Sequence, residues 1–194
     1  MEVKGCLMDN HLRRTTRTAL LLALALVFQS LRFVIPVPVF ASTFLIGALV
    51  NACLLVALQT AGRGPAFLIA CVTPVVAYFQ QLLPLPVFIL PIAIGNSLYV
   101  WLYYRLLRIG PVWPAIGGAA LGKAAFFYLA FSRLLMWVNL PPAIASGLMF
   151  VMGWPQVVTG ILGGILSQGV VSRLAPILDV DRNHKKRKGG NDAQ

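Results

Sequence analysis

Long apolar runs, separated by short connections rich in proline, glycine and arginine, are the feature that most constrains this chain. A bilayer's hydrocarbon core is about 30 Å thick and takes about 20 helical residues to cross. Six runs meet that length, and we place them at residues 16–35, 42–60, 66–83, 87–107, 112–138 and 143–174. A mean hydropathy of +0.83 lies outside the range of soluble domains. The sequence therefore predicts an all-α integral membrane protein with six transmembrane helices.

Two polar, basic ends flank this membrane region. We divide the chain into a cytoplasmic lead over residues 1–14, a six-helix transmembrane domain over 15–175 and a basic cytoplasmic tail over 176–194 that we expect to be disordered. No small-residue cleavage site follows the first apolar run, so we expect no signal peptide. We also expect a break after Ile35 at Pro36–Pro38, a kink at Pro74, and an interfacial start to the sixth span before Trp154-Pro155.

The placement of lysine and arginine predicts the orientation. With both termini in the cytoplasm, all but three of the 16 lysines and arginines fall on the cytoplasmic side. This is the positive-inside pattern of plasma-membrane proteins, and the three exceptions are Arg32, Lys123 and Arg133. Because the basic residues are spread over ends and connections, we attribute the net charge of +11 to topology and expect no nucleic-acid partner.

The acidic residues are informative by their absence, since residues 10–178 contain no aspartate or glutamate. Carriers coupled to protons or sodium commonly use membrane carboxylates, so we expect no ion coupling of that kind. Catalysis is not predicted either, because there is no carboxylate pair and both histidines, His11 and His184, lie in the ends. The three cysteines form no metal-binding pattern, so we expect no metal or cofactor.

Lys123 is the most unusual residue of the spans. It lies near the middle of the run AIGGAALGKAAFFYLAFSRLLM, and Arg133 follows about 15 Å further along the helix. A cation at that depth costs several kcal/mol unless a partner satisfies it. One interpretation is an ammonium that binds an anionic group of a ligand. The other is a lysine that bonds to backbone carbonyls or extends to the membrane surface.

Further polar and aromatic residues concentrate in the predicted outer half of the spans. Buried amides need partners, so such a group indicates either a polar cavity or hydrogen bonds between helices. The candidate ligand contacts are Lys123, Asn96, Gln80, Gln81, Tyr128, Trp154, Gln156 and Arg133. Structural alternatives stay open as well. Asn96 could hold two helices together, and Gln80 and Gln81 could close the loop beside them. Tyr128 and Trp154 could serve packing, and Arg133 could anchor the helix at the membrane surface.

The first span reads RTALLLALALVFQSLRF, with Ala19 and Ala23 four residues apart on one helix face. The spacing is that of the AxxxA motif on the first helix of the S components of energy-coupling factor (ECF) transporters. The chain also resembles these proteins in its six spans, its two cytoplasmic ends and the Gly95-Asn96 pair in its fourth span. The resemblance implies a membrane-embedded binder of a vitamin-type micronutrient or related small molecule, with no ATPase of its own. It implies that Ala19 and Ala23 contact a transmembrane coupling subunit attached to a pair of ABC-type ATPases.

Two other functions stay open. One is a six-helix cell-envelope scaffold that binds no ligand, and the other is a stand-alone small permease or channel in which Lys123 selects anions. A permease would need a polar path on both sides of the membrane. A cavity on the outer side, lined by spans four to six, would favour the binding protein, whereas a solid core would favour the scaffold.

Overall fold

The chain forms a bundle of α-helices. The computed structural model describes the backbone of residues 2–34 and 39–191 and the side chains of residues 12–34 and 41–174. The helices are α1 (Glu2–Val34), α2 (Val39–Thr60), α3 (Arg63–Phe79), α4 (Ile89–Leu107), α5 (Val112–Trp137), α6 (Pro142–Val151) and α7 (Pro155–Asn191). A short 3-10 helix, Pro86–Phe88, precedes α4, and these described ranges contain no strand. The predicted all-α fold is confirmed.

The lengths of the helices suit a membrane protein. Five segments are long and apolar enough to cross a bilayer, and they are Leu12–Val34, Ala41–Thr60, Pro86–Leu107, Val112–Trp137 and Pro142–Leu174. The apolar helix α3 is shorter, at 17 residues. At 1.5 Å per residue it extends about 26 Å, slightly less than the hydrocarbon thickness. The bundle therefore has the six-helix composition that the sequence predicts.

The helices end at local breaks in the sequence. Gly62, with φ 100°, turns the chain between α2 and α3, a conformation that glycine adopts without strain. The predicted interfacial segment is the separate helix α6, which ends before Trp154 and Pro155. Pro74 lies inside α3, whereas the predicted break at Pro36–Pro38 falls outside the described residues.

One helix end differs from the sequence prediction. The third span, predicted to reach residue 83, ends at Phe79 because Gln81 adopts a left-handed conformation, φ 57°, that turns the chain. The backbone of α7 is described as far as Asn191. Disorder of the basic tail, residues 176–194, stays a prediction.

Arginines from three helices meet at one end of the bundle, which we call the basic end. The guanidinium groups of Arg63 and Arg108 lie 4.9 and 4.5 Å from the ring centre of Tyr104. Arg17 Nη1 lies 3.4 Å from the backbone oxygen of Thr60. The opposite, distal end contains the C-terminal ends of α1, α3 and α5, the N-terminal ends of α2, α4 and α7, and the helix α6.

A tightly packed core fills the half of the bundle nearer the basic end. Its fully buried side chains include Leu54 and Leu55 of α2, Ile69 of α3 and Val100 of α4. Helix α7 packs closely on α5, since a Cβ atom at Gly160 would lie 2.8 Å from that of Ala120. Small residues allow such contacts between membrane helices.

Candidate ligand-binding cavity

A cavity of about 380 Å³ lies in the distal half of the bundle. Its wall comes from α1, α2, α4, α5, α6 and α7 and from the connection between α3 and α4. Most of the wall is apolar, with side chains such as Ile46, Leu83 and Phe127. A volume of about 300–1,000 Å³ with a few polar groups in an apolar wall is typical of small-molecule sites.

Lys123 reaches this cavity from the middle of α5 and is only 3% exposed. Its Nζ donates a hydrogen bond to Oδ1 of Asn51 on α2, with a separation of 2.7 Å. The amide nitrogen of Asn51 in turn lies 3.4 Å from Oγ1 of Thr159 on α7. Among the described residues, the Lys123 ammonium therefore has one hydrogen-bond acceptor, and that acceptor is held by a third helix.

Two aromatic rings surround the same ammonium. Nζ of Lys123 lies 5.2 Å from the ring centre of Tyr99 and 5.4 Å from that of Phe127. Such cation–π contacts are worth about 0.5–2 kcal/mol, more when the cation is desolvated. The ring of Phe127 fits because residue 95 is glycine, since a Cβ atom there would overlap the ring. The lysine is thus fixed from several sides without a carboxylate.

Helix α1 adds two further polar residues to the wall. Gln29 is 7% exposed, and its Nε2 donates to the backbone oxygen of Thr73 at 3.1 Å. Its Oε1 has no hydrogen-bond partner among the described residues, and the same is true of the buried Nε of Arg32. Residues three apart lie on the same side of a helix, so Gln29 and Arg32 present their side chains to one cavity.

Three of the residues predicted from the sequence line this cavity: Lys123, Asn96 and Gln156. Asn96 is buried on α4, one turn before Tyr99. The Nε2 of Gln156 donates to the backbone oxygen of Val151 at 3.1 Å and so joins the end of α6 to the start of α7.

Three other predicted contacts are exposed and lie outside the cavity wall. Tyr128 and Trp154 are 56% and 55% exposed, and Arg133 is also exposed. At about 100° per residue, positions five and ten beyond Lys123 point to other faces of α5. The Trp154 ring packs 5.6 Å from that of Phe44, centre to centre.

The adjacent glutamines at the end of α3 also lie outside the cavity wall. Gln80 Nε2 donates to Oγ of Ser30 on α1 at 3.0 Å, while its buried Oε1 has no hydrogen-bond partner within the described ranges. Gln81 is exposed and occupies the left-handed turn position. Their placement matches the loop-closure alternative.

The ligand contacts predicted from the sequence did not include Asn51, Gln29 or Arg32, although the last two are polar residues of the predicted outer half. Arg32 carried a signal, since it is one of three basic residues that depart from the positive-inside pattern. Asn51 carried the same signal as Asn96, an amide in an apolar span, but the sequence does not reveal which helix such an amide faces. Only the packing of α2 against α5 and α7 brings it to Lys123.

Comparison with known proteins adds no assignment. No family model, no curated protein and no solved structure matches this chain. The chemistry of the cavity therefore carries the functional argument. It combines two basic side chains, five uncharged polar ones and a mostly apolar wall, in a region of the chain that contains no acidic residue.

Proposed function

We propose that this chain is the membrane-embedded binding subunit of an ECF-type uptake system. It captures a small anionic or zwitterionic molecule, of the vitamin-type micronutrient class that the resemblance implies, on the extracellular side. The observation that carries the proposal is the distal cavity with Lys123 in its wall. A buried ammonium beside an open volume, in spans without a carboxylate, is suited to a ligand that brings its own negative charge.

The orientation of the cavity supports uptake from outside. The basic end, with Arg17, Arg63 and Arg108, faces the cytoplasm under the positive-inside rule. The distal cavity then opens towards the extracellular side, and both termini are cytoplasmic. In this proposal the protein is a multi-pass protein of the plasma membrane.

The packed half of the bundle argues for a binding subunit over a permease. Between the cavity and the basic end, Tyr99 and Tyr103 are fully buried, and the Tyr99 hydroxyl donates to the backbone oxygen of Gly160 at 2.6 Å. A stand-alone permease needs a polar path through this layer, which the buried core occupies. The cavity itself argues against a scaffold, which needs no ligand-sized volume.

Transport energy then comes from partners. The spans lack the carboxylates on which many ion-coupled carriers depend. Ala19 and Ala23 are exposed on α1 and so are accessible to another helix. In the proposed system a transmembrane coupling subunit packs against them, and its pair of ABC-type ATPases supplies the energy, so that this chain needs no catalytic site.

Native mass spectrometry of the protein, purified gently from its own host, tests the proposal. We expect a bound molecule of vitamin size together with a membrane subunit and two ATPases. An Ala19→Leu/Ala23→Leu variant is expected to lose the subunits and keep the molecule. The matched control is Leu121→Ala, at an exposed position of α5. Repeated preparations with neither a bound molecule nor these subunits would contradict the proposal and favour the scaffold.

A further inference from the structure

Arg32 is the second basic side chain in a cavity without acids. Residues 10–178 contain no aspartate or glutamate, so no side chain of the spans can neutralise Arg32 and Lys123. Lys123 at least has an acceptor in Asn51. The buried Nε of Arg32 has no hydrogen-bond partner in the described part of the chain. An unpaired buried donor of a charged group is costly, and an anionic ligand removes that cost.

Gln29 has an unpaired hydrogen-bond acceptor in the same cavity wall. Its amide orientation is set by Nε2, which donates to the backbone oxygen of Thr73. Oε1 is therefore directed away from that bond and, within residues 12–34 and 41–174, meets no donor. Because this side chain is more than nine-tenths buried and lies in the cavity wall, a ligand in the cavity is well placed to supply the missing donor.

We infer that Gln29 and Arg32 form a specificity-determining subsite on α1 for a ligand with an anionic group next to an N–H or O–H donor. The inference rests on the proposed function and narrows its substrate class. Arg32 binds the anionic group through its guanidinium, and Gln29 Oε1 accepts the neighbouring hydrogen bond. Because the two residues are three apart on one helix, a ligand with both groups on adjacent atoms can contact both.

Lys123 has a different role in the cavity from Arg32 and Gln29. Lys123 already donates to Asn51 and lies between two aromatic rings, so its position is fixed without ligand. It contributes positive charge to the cavity. Arg32 and Gln29 have the unfilled hydrogen-bonding capacity and therefore discriminate between ligands. A site built to hydrogen-bond a group rejects analogues that lack it.

Calorimetric titration of the full chain in nanodiscs with three probes tests this inference. 2-Aminobenzoate carries a carboxylate beside an N–H donor, its methyl ester lacks the charge, and 2-methoxybenzoate keeps the carboxylate but lacks the donor. We expect 2-aminobenzoate to bind about tenfold or more tightly than either analogue. Equal binding of the acid and the ester, or no binding of 2-aminobenzoate, would overturn the inference.

Substitutions assign each preference to its residue. In Arg32→Gln we expect the acid and the ester to bind equally, and in Gln29→Leu we expect 2-aminobenzoate and 2-methoxybenzoate to bind equally. Loss of overall stability alone would not equalise one probe pair and leave the other unchanged. Arg133→Gln and Gln81→Leu, at exposed positions outside the cavity, are the controls and should keep both preferences.

The mass-spectrometric experiment separates this inference from the proposed function. A co-purified molecule that is uncharged or cationic would overturn the inference and the anionic or zwitterionic ligand class, while the role as a membrane-embedded binding subunit stands. A molecule with an acid group beside a donor, lost from Arg32→Gln and retained by Arg133→Gln, would support both. Absence of any molecule and of the partner subunits would overturn both.

Discussion

Gly163 of α7 lies against Asn51 of α2 so closely that a Cβ atom on the glycine would be 2.5 Å from Cβ of the asparagine. The same atom would lie 2.8 Å from the backbone oxygen of Ala48. The two helices therefore approach at a distance that only glycine permits. This contact positions Asn51, and Asn51 is the acceptor for Lys123.

Replacing Gly163 with alanine should therefore disturb both packing and the cavity. The new methyl group meets backbone atoms, which cannot rotate away, so α7 must shift from α2. We expect a loss of about 1–3 kcal/mol in the free energy of unfolding, the usual cost of overpacking. Unfolding of the purified protein in mixed micelles measures it.

Gly169→Ala is the matched control, since a Cβ atom at Gly169 of the same helix has no neighbour within 4 Å among the described residues. That variant should be neutral or slightly more stable, because alanine has the higher helix propensity. Equal destabilisation by the two variants would show that the close contact at Gly163 does not limit the packing.

The pair Lys123 and Asn51 should behave as a unit. Asn51→Leu leaves the buried ammonium without its acceptor and should cost about 2 kcal/mol of stability. The double variant Lys123→Met/Asn51→Leu removes both polar groups and should be more stable than Asn51→Leu alone. A double-mutant cycle measures this coupling. Strictly additive effects would mean that the 2.7 Å hydrogen bond contributes nothing.

Gly95→Ala tests whether Phe127 shapes the cavity. The added methyl group would meet the Phe127 ring, which must then rotate from its place beside Lys123. We expect binding of 2-aminobenzoate to weaken about tenfold, because the ring moves within the cavity wall. Gly117→Ala on α5, where a Cβ atom meets no described atom within 4 Å, is the control and should bind normally.

Cysteine labelling tests the orientation. Val87 and Gly110 are exposed residues that flank α4 on opposite ends of the bundle. In a variant without native cysteines, Val87→Cys should react with a membrane-impermeant maleimide in intact cells. Gly110→Cys should react only after the cells are permeabilised. The reverse pattern would invert the topology and place the cavity on the cytoplasmic side.

The sequence by itself determined the helices and most of their ends. Span length follows from the thickness of a bilayer, and the breaks follow from proline and glycine, which act on their immediate neighbours. The prediction for α5, residues 112–138, differs from Val112–Trp137 by one residue. The sequence also identified Lys123 as exceptional, because a cation in an apolar run can be recognised without knowledge of its surroundings.

Only the tertiary structure decided which residues share the cavity. In a bilayer the lipid-facing and inward faces of a helix are both apolar, so the pattern of apolar residues does not fix the rotation of the helix. The sequence therefore could not tell that Tyr128 and Arg133 point away from the cavity. Nor could the sequence show that Asn51 contacts Lys123. These two residues are 72 positions apart in the chain, and their contact depends on how α2, α5 and α7 pack.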